Sequence, residues 1–314
     1  MKSDSIKIIF FGTPQIAAYT LENVIKKYGV VAVVTQPDKT IGRKKLLEAP
    51  PVKKMALQYD IPVFQTEKLQ SIEKELTNLS PDIGIVFAFS QIIPKQIIDI
   101  FPKGMLNIHP SILPQLRGPS PVQEAILQGL DETGVTIIKL DEKMDHGPIV
   151  MQKKITINPT HMAPDVLQQC AKLGTEMLLE IMPKYIRNEF ILKEQDHAKA
   201  TFSHIITREN GLIDWKNDAQ SIYLQFKAYN PWPGVFTHIA EKRLKILDLE
   251  PLYSIPEGKR KPGTIFISNN GKMAIQCKKN AILILTLQSE GKNAISSEEY
   301  IKGHKNCIGK RLEI

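Results

Sequence analysis

An amide and an imidazole stand two residues apart at the end of a short apolar stretch. The alternation from Met105 to His109 predicts a strand that has Asn107 and His109 on one face and Leu106 and Ile108 in a core. An amide can donate to a developing oxyanion, and an imidazole can move a proton near neutral pH. The pair suits the handling of a carbonyl, although the pattern also fits a polar strand end whose histidine caps a turn.

The segment after His109 is rich in proline, and a carboxylate follows further along the chain. Four prolines between residues 110 and 121 fix φ and remove backbone donors, which predicts a stiff loop. Asp145 lies in the stretch Asp145-His146-Gly147, where it can supply a carboxylate to the same reaction. Aspartate in such a turn commonly bonds its own backbone, so a structural role for Asp145 also fits.

Strand-like and helix-like segments alternate through the first half of the chain. Strands are predicted at residues 6–11, 30–35, 61–64, 83–88 and 105–109, with helices at 15–27 and 51–59. This alternation predicts βαβ units and a mostly parallel sheet covered on both faces. Such sheets bind ligands beyond the carboxyl ends of their strands, so Gly12-Thr-Pro14, Ala88-Phe-Ser90 and His109-Pro110 are expected to meet at one crevice.

The pattern of predicted strands and helices changes in the second half of the chain. Strands at residues 135–140 and 149–157 enclose the turn of Asp145, and a helix is predicted at 164–185. Beyond about residue 208, short apolar runs broken by glycine, proline and asparagine predict a small β-barrel. We therefore expect a catalytic domain at 1–189, a linker at 190–207 and a barrel domain at 208–314.

The charge of the chain is unevenly distributed. Its 314 residues suggest about two domains, and the net charge is +8. Residues 206–314 hold 17 Lys and Arg against 11 Asp and Glu, so this smaller part carries most of the excess. A basic domain fits contact with a phosphate backbone, and an ordinary mildly basic protein fits equally well.

Several classes of function are disfavoured by what the sequence lacks. No apolar run approaches the roughly 20 residues of a membrane span, and a signal peptide is not recognisable. The three cysteines are scattered, which fits a reducing cytoplasm better than a disulfide framework. Neither H-E-x-x-H, G-x-G-x-x-G nor a P-loop occurs, so we expect no metal and no classical nucleotide chemistry.

Several segments together resemble the formyltransferases that take their formyl group from 10-formyltetrahydrofolate. The resemblance extends from Ile6 to about Arg311, and its motifs are Ile9-Phe-Phe-Gly-Thr-Pro14, Asn107-Ile-His109-Pro-Ser-Ile-Leu-Pro114, Arg117-Gly118 and Asp145-x-Gly147. It implies an α/β catalytic domain with the Rossmann-like formyltransferase fold and a small OB-like barrel. It also implies that Asn107 polarises the formyl oxygen, His109 serves as acid or base, and Asp145 sets the charge and position of His109.

The resemblance further implies a folate site. Its residues are Ser111, Ile112, Leu113 and Pro114 in the loop, with Phe89 and Ser90 in the pteridine pocket. Phe89 and Ser90 stand where tyrosine and glycine are commoner in this family. His146 departs from the family's small or polar residue, and we expect a solvent-facing turn residue there.

Two features indicate the acceptor. Thr35-Gln-Pro-Asp38 precedes the basic residues Arg43, Lys44 and Lys45, which resemble the family's loop that contacts the acceptor end of initiator tRNA. The second feature is the basic C-terminal part, which contains Asn230-Pro-Trp-Pro-Gly234. The resemblance thus implies a monomer that formylates the α-amine of methionine on initiator tRNA. An amino sugar nucleotide acceptor and a non-catalytic RNA-binding protein with a degenerate enzyme fold are the alternatives.

Overall fold

The computed structural model describes residues 6–41, 46–239, 242–255 and 260–312. The chain divides into two compact units. The first comprises Met1–Val122, Asp131–Asn158 and Asp165–His204, and the second comprises Gln123–Leu130, Pro159–Pro164 and Ile205–Ile314. The domain limits at residues 189 and 208 remain a prediction.

The first unit is built on a seven-stranded sheet in the order β5-β2-β1-β6-β7-β8-β9, with a separate hairpin of β3 and β4. Strands β5, β2, β1, β6 and β7 are parallel, whereas β8 runs antiparallel to both β7 and β9. The predicted mostly parallel α/β sheet is therefore confirmed. The strands are β1 (Ile8–Gly12), β2 (Ala32–Thr35), β3 (Lys39–Ile41), β4 (Leu46–Glu48), β5 (Val63–Gln65), β6 (Ile83–Phe87), β7 (Met105–His109), β8 (Glu132–Lys139) and β9 (Ile149–Thr156).

Helices cover both faces of this sheet, which is why its central strands are continuous apolar runs. On one face, helices α1 and α6 are joined by a 2.8 Å hydrogen bond between the hydroxyls of Thr20 and Thr175. On the other face, the Phe11 ring packs edge-on against Phe89 and Phe101. The α-helices between residues 15 and 186 are α1 (Gln15–Tyr28), α2 (Pro51–Gln58), α3 (Glu73–Asn78), α4 (Lys95–Ile98), α5 (Pro121–Leu127) and α6 (Ala163–Ile186).

The packing of α6 fixes which way the side chains of β7 point. Gly174 of α6 approaches so closely that a Cβ there would lie 2.5 Å from Ile108 Cγ2. Ile108 therefore faces α6, and Leu106 shares its face because side chains alternate along a strand. Asn107 and His109 are directed to the opposite face, as the sequence predicts.

The second unit is an antiparallel sheet in the order β10-β11-β14-β13-β12, with β15 paired to β14. The pairing of β11 with β14 shifts register near Asp248, and such irregularities bend strands. The unit is consistent with the predicted small barrel. Its elements are α7 (Ala219–Tyr229), β10 (Val235–Ile239), β11 (Lys242–Leu252), β12 (Ile265–Ile267), β13 (Met273–Gln276), β14 (Ala281–Ser289), β15 (Ala294–Ser296) and α8 (Ser297–Gly303). In the described part of the chain, no helix is long and apolar enough to cross a membrane.

The cysteines allow a test of how tightly both cores are packed. Cys170, Cys277 and Cys307 are free and buried, and burial raises the pKa of the Cys170 and Cys277 thiols to about 12. Because the thiolate is the reactive species, only about 10⁻⁴ of such a thiol can react at about pH 8. We expect iodoacetamide to leave these two cysteines of the native protein unmodified within minutes, and to label both after denaturation, as measured by peptide mass spectrometry. Equal labelling rates at Cys170 in the native and denatured chain would contradict this.

Candidate active site

The three predicted catalytic side chains lie next to one another, with Asn107 and His109 both facing the Asp145 carboxylate. Asn107 Nδ2 donates to Asp145 Oδ1 over 3.4 Å, and His109 Nδ1 lies 3.5 Å from the same oxygen. The second oxygen, Oδ2, accepts a 2.7 Å hydrogen bond from the backbone N–H of Gly118. The His109 and Asp145 side chains are only 5% and 12% exposed. The amide, the imidazole and the carboxylate thus form one largely buried cluster.

The other nitrogen of His109 determines where this ring can exchange a proton. Nε2 lies 2.9 Å from the backbone carbonyl oxygen of Leu116. A carbonyl oxygen can only accept a hydrogen bond, so we assign the proton to Nε2 in the neutral ring. The nitrogen that gains and loses a proton is then Nδ1, which faces Asp145.

The pairing of β7 with β8 supports the loop that follows His109. His109 lies opposite Thr136, whose hydroxyl donates to Ser111 O at 2.7 Å and accepts from Leu113 N at 3.2 Å. Gln152 Nε2 donates to Leu113 O at 2.9 Å. The buried hydroxyl of Thr136 and the amide of Gln152 therefore hold this loop by its backbone.

The turn that carries Asp145 combines one unusual backbone conformation with one close approach between backbone segments. Asp145 has a φ of +49°, a left-handed conformation that is uncommon outside glycine. At Gly147, a Cβ would lie 1.9 Å from the backbone oxygen of Lys139 at the end of β8. Lys139 N also donates to Pro148 O at 3.0 Å, so the turn is closed tightly onto β8.

Replacing Gly147 by alanine is expected to disrupt this turn. The added methyl group cannot occupy its position without moving the backbone of the turn or of β8, and the structure loses about 3 kcal/mol of stability. We expect a lower melting temperature together with a large loss of turnover, because Asp145 lies two residues away. Gly303→Ala is the control, because Gly303 also lacks a positive φ and an added Cβ there has nothing within 4 Å. A Gly147→Ala variant as stable and active as the parent would contradict the close approach.

Gln195 and Arg117 are part of the site, although the sequence pattern predicts no role for either. Gln195 Nε2 donates to Asp145 O at 2.9 Å and to Gly147 O at 2.7 Å. Its Oε1 accepts a 2.7 Å hydrogen bond from Arg117 Nη2. Gln195 lies within residues 190–207, which the sequence predicts as a linker. A single glutamine in a polar stretch carries no pattern that could identify it.

His146 is not the solvent-facing turn residue that we expected. Its Nδ1 lies 2.6 Å from Asp141 Oδ2, and its ring stacks on His197 with centroids 3.9 Å apart. The turn brings Asp141 back against His146, and the His197 ring then covers the imidazole. Arg117 Nη2 donates to His197 Nδ1 at 2.8 Å, so the stacked pair also borders the Gln195 contacts.

The residues predicted to bind folate occupy two different environments. Ser111, Ile112, Leu113 and Pro114 form the loop that leaves β7 immediately after His109, and Ser111 and Leu113 are buried. Phe89 has its ring in the core against Phe11, so it can offer a ligand only its backbone. Ser90 is exposed with a φ of +66°, a conformation that glycine adopts readily. Their roles in binding stay predictions.

The residues predicted to contact tRNA, Arg43, Lys44 and Lys45, lie outside the described residues. On either side of them, β3 and β4 pair as an antiparallel hairpin. At the base of the hairpin, Lys53 Nζ binds both carboxylate oxygens of Asp38 at 2.9 Å and Gln65 Oε1 at 2.7 Å. Gln65 Nε2 also donates to Asp38 Oδ1 at 2.7 Å, and the hydrogen bonds from Lys53 and Gln65 lower the pKa of Asp38.

An open pocket lies beside the turn that carries Asp145. Ile98 and Leu140 are its apolar lining residues, and the rest of its lining is polar: Lys95, Asp99, Asp141, Glu142, Lys143 and His146.

The fold and this cluster define an α/β protein with chemistry suited to the handling of a carbonyl group. An amide donor can stabilise an oxyanion, and an imidazole next to a carboxylate can transfer the proton. The formyl transferase family model matches residues 6–182, and the model of the formyl transferase C-terminal domain matches residues 205–305. The chain therefore belongs to the formyl transferase family.

Similar proteins in bacteria match the chain over nearly its whole length. A methionyl-tRNA formyltransferase of Roseiflexus castenholzii is 38% identical, with 98% of this chain and 99% of the relative covered. One of Staphylococcus aureus is 35% identical, with 98% and 99% covered. Among solved structures, an N-formyltransferase of Helicobacter canadensis, in complex with folinic acid and dTDP-3-aminofucose, has a TM-score of 0.67 at 21% identity, covering 90% of this chain and 99% of that one. That likeness shows the fold.

Proposed function

We propose that the chain transfers the formyl group of 10-formyltetrahydrofolate to the α-amine of methionine esterified to initiator tRNA. The observation that carries the proposal is the meeting of Asn107 and His109 at the Asp145 carboxylate. Support comes from the end-to-end similarity to methionyl-tRNA formyltransferases. The products are N-formylmethionyl-tRNA and tetrahydrofolate.

Each residue of the cluster has its own role in this reaction. The neutral amine attacks the formyl carbon, and the carbonyl oxygen gains negative charge in the tetrahedral intermediate. Asn107 Nδ2, held only by a long 3.4 Å bond to Asp145, is free to donate to that oxygen. The amine loses a proton and the departing folate nitrogen gains one when the carbon–nitrogen bond breaks. His109 moves this proton at Nδ1, directly or through a water molecule, while Leu116 O holds Nε2.

Asp145 serves this cycle by holding its carboxylate in a fixed position against His109. Its Oδ2 is bonded to Gly118 N, which leaves Oδ1 for the proton-carrying face of His109. A carboxylate at this position stabilises the imidazolium that forms transiently and orients the ring.

The donor and the acceptor are assigned from the surrounding segments. The folate lies along the loop of Ser111–Pro114, with its pteridine against the backbone of Phe89 and Ser90, and no metal takes part. The acceptor end of the tRNA contacts Arg43, Lys44 and Lys45 and the basic second unit, since Lys and Arg bind phosphates and unpaired bases. The enzyme acts in the cytoplasm as a monomer.

The proposal is tested with purified protein, 10-formyltetrahydrofolate and three acceptors. We expect formylation of charged initiator tRNA, and none of charged elongator tRNA or of an amino sugar nucleotide. Activity on the amino sugar nucleotide without tRNA would replace the proposal with the sugar alternative. Tight binding of tRNA without any transfer would indicate the non-catalytic RNA-binding protein.

A further inference from the structure

Residues 193–204 form a segment, which we call the strap, that hydrogen-bonds both loops of the catalytic cluster. On the loop after β7, Arg117 N donates to Thr201 O at 2.9 Å, and Leu116 N donates to Thr201 Oγ1 at 2.9 Å. On the loop between β8 and β9, Gln195 donates to the carbonyls of Asp145 and Gly147. One continuous stretch of chain therefore fixes the two loops relative to each other.

The strap holds the two residues whose backbones are most strained in these loops. Leu116 has a φ of +57° and Asp145 a φ of +49°, both in the left-handed region. Each contributes one group to His109, since the Leu116 carbonyl faces Nε2 and the Asp145 carboxylate faces Nδ1. Such conformations persist at functional sites only where surrounding contacts hold them in place.

The orientation of the Gln195 amide follows from its partners. The guanidinium of Arg117 can only donate, so it faces Oε1 of Gln195. The carbonyls of Asp145 and Gly147 can only accept, so both face Nε2. Gln195 and Arg117 are buried, being 5% and 4% exposed. A glutamate at 195 keeps the shape and the acceptor for Arg117 but has no N–H to offer the turn.

We propose that Gln195 and Thr201 are positioning residues of the formyl transfer, which set the Asp145 carboxylate and the Leu116 carbonyl on the two nitrogens of His109. This role rests on the proposed function. Neither side chain touches the reacting groups in the cluster, so each acts on the rate through His109 and Asp145. A misplacement of catalytic groups by about 1 Å can cost about 100-fold in rate.

The first test compares Gln195→Glu with Glu194→Gln, the reverse change at the exposed neighbouring position. For Gln195→Glu we expect kcat to fall about 30- to 100-fold, with KM for both substrates within about twofold of the parent. The melting temperature should fall, because the carboxylate faces the carbonyl oxygens of Asp145 and Gly147 without an N–H, and its pairing with Arg117 offsets only part of that loss. The rates are therefore measured well below the melting temperature of the variant. A purely structural role would move the melting temperature and leave kcat alone. Glu194→Gln should match the parent in every measurement.

The second test removes the other contact of the strap with Thr201→Val. The change keeps the side-chain shape and removes the oxygen that accepts from Leu116 N. We expect kcat to fall about tenfold, again at constant KM. Values of kcat within about twofold of the parent for both variants, or losses matched by a rise in KM, overturn the proposal. A parent protein that does not formylate methionyl-tRNA overturns the proposed function instead, so the two failures are distinguishable.

Discussion

Replacing Asp145 by asparagine is expected to lower kcat for formyl transfer by about 10³-fold or more while the fold is preserved. Asparagine has the same shape and can keep the hydrogen bond from Gly118 N through its oxygen. It removes the negative charge that faces His109 Nδ1 and Asn107 Nδ2. The imidazolium formed during the reaction then has no counter-charge in a site that is largely closed to water.

The measurement for this variant is single-turnover transfer to charged initiator tRNA, with a thermal melt of the same sample. Asp131→Asn is the matched control, because Asp131 is an exposed aspartate just before β8, at the opposite end of that strand from the Asp145 turn. The control should retain the activity of the parent. Turnover of Asp145→Asn within tenfold of the parent would mean that the carboxylate does not support the proton transfer, and the proposed mechanism would have to be given up.

Replacing His109 by alanine is expected to lower kcat by about 10²- to 10⁴-fold, with KM for the folate donor little changed. The variant has no group in reach of both Asp145 and the reacting nitrogen atoms that can move a proton. It also leaves Leu116 O without its hydrogen bond and opens a cavity, which costs about 1–3 kcal/mol of stability. Rates should be compared well below the melting temperature of both proteins.

A useful comparison for this variant is His304→Ala, a histidine of the second unit whose ring stacks on Tyr300. It should transfer formyl at the rate of the parent. If His109→Ala retains most of its kcat, the proton passes by another route and Nδ1 is not the site of transfer. Loss of folding in His109→Ala would be visible in the melt, and dividing the measured rate by the folded fraction separates it from a loss of catalysis.

The strands were predictable wherever the local pattern alone specifies them. Met105–His109 has the limits that the sequence predicts, because an apolar run bounded by turn residues fixes both ends. The hairpin of β3 and β4 was missed, since Leu46–Glu48 is exposed and has no core-facing pattern. Helix α7 was also missed, although Asp218 caps it by accepting from Ser221 N. This capping signal could have been read from the sequence.

The candidate site was predictable only in part. The common face of Asn107 and His109 follows from strand alternation, whereas the pairing of His109 with Asp145 depends on the antiparallel return of β8, which no local pattern encodes. Nearness of Asp145 was inferred from a family resemblance. Gln195 and Thr201 could not be found, because their importance lies in hydrogen bonds to backbone atoms more than 45 positions away. A hydrogen bond to a backbone atom does not depend on the type of the partner residue, so the sequence gives no sign of it.

The strap has a consequence for how chains of this kind can be recombined. A crossover that joins this catalytic unit to a different C-terminal unit at residue 189 keeps Asn107, His109 and Asp145 but imports a foreign strap. A crossover after His204, where the first unit ends, keeps the strap with the loops that it holds. Modular exchange between relatives is therefore constrained to the second junction. In this chain the strap supports the active site from the segment between the two junctions, so a fusion made before it would replace part of that support.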